Sequence, residues 1–348
     1  MTTRKDGSSD PLPPGFAIQR LVELMRRSIT ATGLNLSEVT VLTEAASGAY
    51  GVTPVIGAMA GAKRVYALAR SSRYGSVRDV KAWISELADA SGVTTFVNVI
   101  EELSPDILAS IDIVTNSGHL RPLSADFIDL LPGSAVIALM FEAWELRPGD
   151  VDLAACKRRS IPIVGINERH PTIDVFSFLG PLCAKQLLCC GLAVYSNRIA
   201  LLCDNDFAEP IGKGLAGLGA SIEVFSVADE IFPDIWDAIV IALKPALTPR
   251  IGHNEALHFA TVAPPGCAVI QFWGDINRKA LREHGLNIWP CEPPAPGHMG
   301  ALLSEIGPEP IVRLQTGGLR AAEWIFRGGA ALPDGFAQLV DARCQLKV

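Results

Sequence analysis

The sequence has no strongly basic stretch. Its longest Lys/Arg run is Lys157-Arg158-Arg159, and the formal net charge is −7. That balance excludes the basic surface a nucleic-acid partner requires. The short run falls near the end of a predicted helix, where cations complement the helix dipole. Metal-ligand spacing is also missing. The six histidines (119, 170, 253, 258, 284 and 298) form no HxxxH pair, and no two of the eight cysteines form a CxxC pair. No zinc or other metal site is therefore expected. Cysteines 156, 183, 189, 190, 203, 267, 291 and 344 read as buried free thiols. His253 and His258 read as surface residues.

A long apolar run is absent too. The longest candidate, Val175 to Tyr195, is broken by Pro181, Lys185 and Gln186, so it reads as a buried connecting helix rather than a membrane span. The polar, proline-bearing start (Ser8, Ser9, Asp10, Pro11, Pro13, Pro14) has no apolar core of signal-peptide type. A soluble, cytoplasmic chain without a membrane partner is the expectation.

What the sequence does have is apolar material and a βα rhythm. Hydrophobic residues make up 49% of the 348 and charged residues 19%, enough for sizeable cores and consistent with two domains. Ile18 to Ser28 has the spacing of an amphipathic helix. Six short apolar runs follow, at 39–43, 65–68, 95–99, 111–114, 135–139 and 161–164, with helical segments between them. That is the size of a complete dinucleotide-binding unit. A second series has strands at 199–202, 221–225, 238–243, 268–272 and 287–289, and late helices around 299–305 and 319–327.

The two series read as distant copies. VTVLTEAASGAYGVTPVIGAMAGAKRVYAL and RIALLCDNDFAEPIGKGLAGLGASIEVF each run strand, polar loop, small-residue helix, Gly-Ala pair (Gly61-Ala62, Gly219-Ala220), strand. The expected fold is therefore α/β: two tandem doubly wound Rossmann-like domains with parallel sheets. The boundaries are a disordered start over 1–15, a cofactor-binding domain over 16–170, an interdomain helix over 171–196, and a second domain with C-terminal helices over 197–348.

In doubly wound sheets ligands bind beyond the carboxyl ends of strands. The first such loop offers Ser47, Gly48, Tyr50, Gly51 and Thr53 as a phosphate cradle at a helix N-terminus, although only a GxxG remains of the usual glycine pattern. An ordinary βα turn is the alternative. The second strand ends in Arg70, Ser71 and Arg73 with no acid, which favours the 2′-phosphate of NADP over NAD. Asn116 and Ser117 end the fourth strand, where they face a cofactor ring or ribose. In the second series Phe225-Ser226 offers neither acid nor Arg, so that domain is the poorer nucleotide binder.

Catalytic candidates follow from the same rule. Glu142, with Glu145, ends the fifth strand; Glu168 and His170 end the sixth at the domain junction; His298 opens a late helix. A His beside a carboxylate suits general acid/base work, against the alternative of caps and surface salt bridges. Asp204, Asn205 and Asp206 read either as a substrate-amine site or as helix caps.

Two segments carry a family resemblance. IGKGLAGLGA, within residues 206–224, resembles the cofactor-binding turn of S-adenosylhomocysteine hydrolases. DIVTNSGHLRPLSADFIDLLPGSAVIAL resembles the fourth and fifth strand units of D-2-hydroxyacid dehydrogenases. The glycine-rich turn itself is replaced by Asn205-Asp206-Phe207-Ala208, and no Arg/Glu/His triad stands in family order. The resemblance implies a nucleotide-binding Rossmann superfamily. The expected function is an NAD(P)-dependent oxidoreductase acting on a small polar metabolite, an amino or hydroxy acid, in the cleft between the two domains. The alternatives are an S-adenosylmethionine-dependent methyltransferase and a non-catalytic binding or assembly protein. A homodimer is compatible with the late apolar helix.

Overall fold

The computed structural model describes residues 13–72, 74–246, 248–329 and 335–340. Arg73 and Cys344, both named above, lie outside the described residues, as does most of the start expected to be disordered.

The chain opens with α1 (Ile18–Thr32), closed by Gly33 in the left-handed conformation. The alternation then runs β1 (Thr40–Glu44), α2 (Val52–Met59), β2 (Arg64–Leu68), α3 (Val77–Ala90) and β3 (Val97–Ile100). It continues with α4 (Pro105–Leu108), β4 (Ile113–Thr115), α5 (Ala125–Asp129), β5 (Val136–Ala138), α6 (Leu153–Arg159) and β6 (Ile163–Ile166). Short side chains at Ser76, Ser104, Ser124 and Asp152 cap α3, α4, α5 and α6 by accepting a first-turn N–H. The strands are short and apolar on both faces, as parallel strands covered by helices must be.

A second alternation follows: α7 (Leu179–Cys189), β7 (Arg198–Leu202), α8 (Ala208–Gly217), β8 (Ser221–Phe225), β9 (Ala238–Ala242), α9 (His253–Val262), β10 (Ala268–Trp273), α10 (Arg278–Glu283) and β11 (Asn287–Trp289). The chain ends in α11 (Glu309–Phe326) and β12 (Ala337–Leu339).

Two compact units result. One holds residues up to 175 together with those from 307 onward, and the other holds 176–306. The first unit's sheet runs β12-β6-β5-β4-β1-β2-β3, parallel except for β12, which pairs antiparallel with β6. The second unit's sheet runs β11-β10-β9-β7-β8, all parallel. The expected α/β class with two parallel sheets is what the structure has.

The division differs from the sequence boundaries at both ends. Those boundaries put α11 in the second domain, but it packs on α1, α2, β5 and β6 of the first unit. Its Gly317 and Gly318 leave no room for a side chain against Ile166, Ile173 and Met140. A helix buried nearly all round must sit against a sheet, and its apolar pattern does not reveal which one. The segment read as an interdomain helix supplies α7, which is an integral layer of the second unit and packs on α8. The helix expected at 299–305 is only a short 3₁₀ turn, Leu303–Ile306. Of the cysteines, 156, 183, 203 and 267 are buried as expected, whereas 189 and 291 are exposed.

Candidate functional site

The strand order of the first unit places its topological switch point between β1 and β4, where the connections leave in opposite directions. The loops beyond these two strands hold the unit's unusual polar residues. The register Val41↔Ile113, Leu42↔Val114 continues one step to Thr43 and Thr115, whose hydroxyls bond at 2.8 Å. Ser117 joins them, 2.7 Å from the Thr115 hydroxyl. Glu44 ends β1 and Asn116 follows β4 directly, so the two stand at the carboxyl ends of neighbouring strands.

Glu44 is half-buried. Burial pushes it above the usual carboxylate range, while the His119 N–H, donated at 3.2 Å, and the charges of His119 and Arg121 work the other way. Gly118 makes this placement possible, because a Cβ there would fall 1.3 Å from Glu44 Oε2. Asn116 is 1% exposed, and neither Oδ1 nor Nδ2 of its amide has a hydrogen-bond partner among the described residues. An unanswered buried polar group costs about 1–3 kcal/mol, so such groups mark places where something polar belongs. Tyr50 lies over the same edge. Its phenol is pushed up to about 12 by burial and by the nearby Glu44 and Glu168.

The loops after β5 and β6 bring a second group together. Glu142 is fully buried and accepts from the Glu168 N–H at 3.2 Å and from the Trp144 indole, with Arg169 3.5 Å away. The Glu142 N–H donates to Glu145 at 3.4 Å. Burial, then the Glu145 and Glu142 carboxylates, push Glu168 well above the usual range, with Arg169 opposing. Burial also drives Glu145 up to about 7. Both shifts favour the protonated carboxyl, the form able to give a proton.

The sequence-derived candidates divide accordingly. Glu142 and Glu168 share one hydrogen-bonded cluster. His170 lies two residues on, its Nδ1 accepting from the Thr172 N–H and its ring edge-on to Phe336. His298 belongs to the other unit, exposed, with Nδ1 against the Pro296 carbonyl. In the proposed cradle, Ser47 donates to the Tyr74 carbonyl, and Gly51 has no room for a Cβ because Trp83 fills that space. Thr53 is occupied by Gln315 of α11, whereas Gly48 is open. Arg70 and Ser71 are exposed beyond β2, with Ser71 Oγ accepting the Val77 N–H. Sequence reasoning had Glu44 only as the first residue of the loop after β1, with no role of its own, and missed the pairing of α11 with this edge. The position of Glu44 at a strand end was the available signal.

The second unit's switch point, between β7 and β9, is closed by its own side chains. Asn205 donates to the Ala242 carbonyl at 2.7 Å, while Asp204 accepts from the Lys244 N–H at 3.4 Å and pairs with Arg250. Against the cost of burial, these partners hold Asp204 below the usual range. Phe207 stacks on Trp273 at 4.7 Å. With Asp204, Asp206 and Glu209 gathered at the start of α8, a pyrophosphate would meet negative charge there. Neither reading for 204–206 describes Asp204 and Asn205: α8 has no side-chain cap, and the two residues instead tie this loop to the end of β9 and the segment after it.

Among the described residues no group of His, Cys, Asp or Glu is arranged to hold a metal, and no helix is long and apolar enough to cross a membrane.

No family model and no curated protein matches the sequence. Solved structures do match. A dipicolinate synthase polypeptide from Bacillus halodurans superimposes with a TM-score of 0.55 at 12% identity, over 82% of this chain and 98% of that one. Its counterpart in the dipicolinate synthase of Bacillus subtilis gives 0.54 at 12%, over 85% and 99%. The fold is that of two-domain Rossmann proteins. An NAD-dependent formate dehydrogenase from Staphylococcus aureus, in complex with NAD, superimposes more loosely: 0.42 at 13% identity, over 85% of this chain and 98% of that one.

Proposed function

We propose that the protein is an oxidoreductase that uses a nicotinamide dinucleotide, NADP or NAD, on a small polar metabolite, with its reaction site on the first unit. One observation carries this reading. The first unit has the 3-2-1-4-5-6 strand order of dinucleotide-binding sheets, and its switch point holds a sealed, unanswered amide, Asn116. The second unit's crevice is filled by Asp204, Asn205 and Arg250 instead.

In this reading the backbone around Gly48, together with Ser47, Tyr50 and Gly51, cradles phosphate, Thr53 anchors the loop to Gln315, and Arg70 and Ser71 take a 2′-phosphate. Asn116 and Ser117 line the ring side. The cofactor supplies hydride transfer when bound. Glu168 holds the accompanying proton, Glu142 fixes the Glu168 backbone, and the cluster's burial keeps water from competing. His170 is the second proton-carrying candidate on the same segment.

The test is a melting series with NADP, NAD and S-adenosylmethionine. NADP is expected to raise the melting temperature most, and Arg70→Ala to bring its shift down to that of NAD. No shift with either dinucleotide sinks the reading. A shift with S-adenosylmethionine alone transfers the site to methyl-group chemistry.

A further inference from the structure

The pair at the switch point specifies more than a polar ligand. We propose that this site binds a zwitterionic α-amino acid. Its ammonium is taken by Glu44 and the Asn116 carbonyl oxygen, and its carboxylate by the Asn116 NH₂ and Arg121. This rests on the reading that the carboxyl edge of the first unit is the reaction site.

Three features lead there. Glu44 spends one carboxylate oxygen on the His119 N–H, and the other makes no hydrogen bond among the described residues. Asn116, at the end of the neighbouring strand, has one acceptor and two donors to satisfy, and none is satisfied. Arg121 stands two residues past the His119 N–H that Glu44 accepts, and its ion pair with Asp150 is a loose 3.6 Å. Acid, amide and guanidinium thus lie around one edge.

A hydroxy acid brings no cation and sets its own carboxylate against Glu44. A plain amine leaves the Asn116 NH₂ and Arg121 unanswered. An amino acid answers all three groups, with charge-assisted hydrogen bonds at both ends. Entry requires the loop to move at Gly118, which lies against Glu44, since Asn116 is closed from solvent.

Melting curves and calorimetry on the full chain, without cofactor, test this. The probes are the standard α-amino acids in both enantiomers and their 2-hydroxy and 2-oxo counterparts. At least one amino acid is expected to bind and raise the melting temperature, and its counterparts are not. Glu44→Gln is expected to weaken that binding roughly ten- to hundredfold, the worth of one charge-assisted hydrogen bond. Asn116→Leu is expected to abolish it while raising the melting temperature of the free protein, because an unanswered amide is gone. That second variant keeps the test decisive if Glu44→Gln fails to fold.

The proposal is overturned if no amino acid binds, if a hydroxy or oxo acid binds as tightly, or if Asn116→Leu leaves binding intact. Amino-acid binding without any dinucleotide shift removes the oxidoreductase reading and leaves this one. The reverse pattern removes only this one.

Discussion

A Glu168→Gln variant is expected to turn over roughly a hundred- to ten-thousandfold more slowly than the wild type, yet to melt at a higher temperature at pH 8. Glutamine keeps the shape and polarity of the side chain but carries no titratable proton. Burial, with Glu145 and Glu142 beside it, raises Glu168 well above the range of an exposed glutamate and so favours its protonated form. Removing that proton-carrying group is expected to cost catalysis. It also removes an acid that the folded state must either keep protonated against the solvent or ionise without water. Nicotinamide absorbance reads the first effect and a melting curve the second. Unchanged turnover would remove Glu168 from the mechanism.

The sign of the pH effect follows from the same groups. Glu44, Glu145 and Glu168 all have raised values, so above about 4.5 the unfolded chain has released protons that the folded chain still holds. The unfolded state then binds fewer protons, and stability falls as pH rises through the folded values. For Glu145 the window runs from 4.5 to about 7, and its contribution is on the order of 1–3 kcal/mol. Asp204 in the second unit runs the other way, its stability present above the unfolded value of 3.8 and lost as pH falls. Denaturant melts of the wild type are therefore expected to weaken from pH 5 to pH 8. Glu145→Gln flattens that slope, and a wild-type profile that rises over this range contradicts the burial of these carboxyls.

The strands were legible because each is a short apolar run between turn residues, a local signal that burial on both faces makes strong. The candidate site was only half legible. Asn116 was found because it ends a strand, and Glu142 and Glu168 for the same reason. That Glu44 lies beside Asn116 was not, because β1 and β4 are neighbours only through the crossover order of the sheet. The same limit hid the return of the C-terminus. Thr53 meets Gln315 across 262 positions of sequence, and β12 adds its three residues, Ala337–Leu339, to an edge that local pattern does not announce.

Gly214→Ala is expected to destabilise the second unit by about 1–3 kcal/mol or more, whereas Gly212→Ala in the same helix stabilises it by roughly 0.5–1 kcal/mol. The two positions differ only in what they face. A Cβ on Gly214 would lie 2.6 Å from the Gly180 Cα of α7, and one on Gly180 would lie 2.7 Å from the Pro210 carbonyl oxygen and 2.8 Å from the Gly214 Cα. These neighbours are backbone, so relief requires the helices to part, and α8 then lifts Ile211 and Leu215 from the core they share with Leu182 and Leu187. A Cβ on Gly212 meets nothing within 4 Å. Melting curves of the two variants read opposite signs from one helix turn. This pair also settles what the IGKGLAGLGA segment is for. Its Gly214 serves the crossing of α7 and α8, while the turn before it presents Asp204, Asn205 and Asp206 instead of glycine. A sequence likeness to a cofactor-binding turn has survived there as helix packing, which leaves the first unit as the place to look for the cofactor.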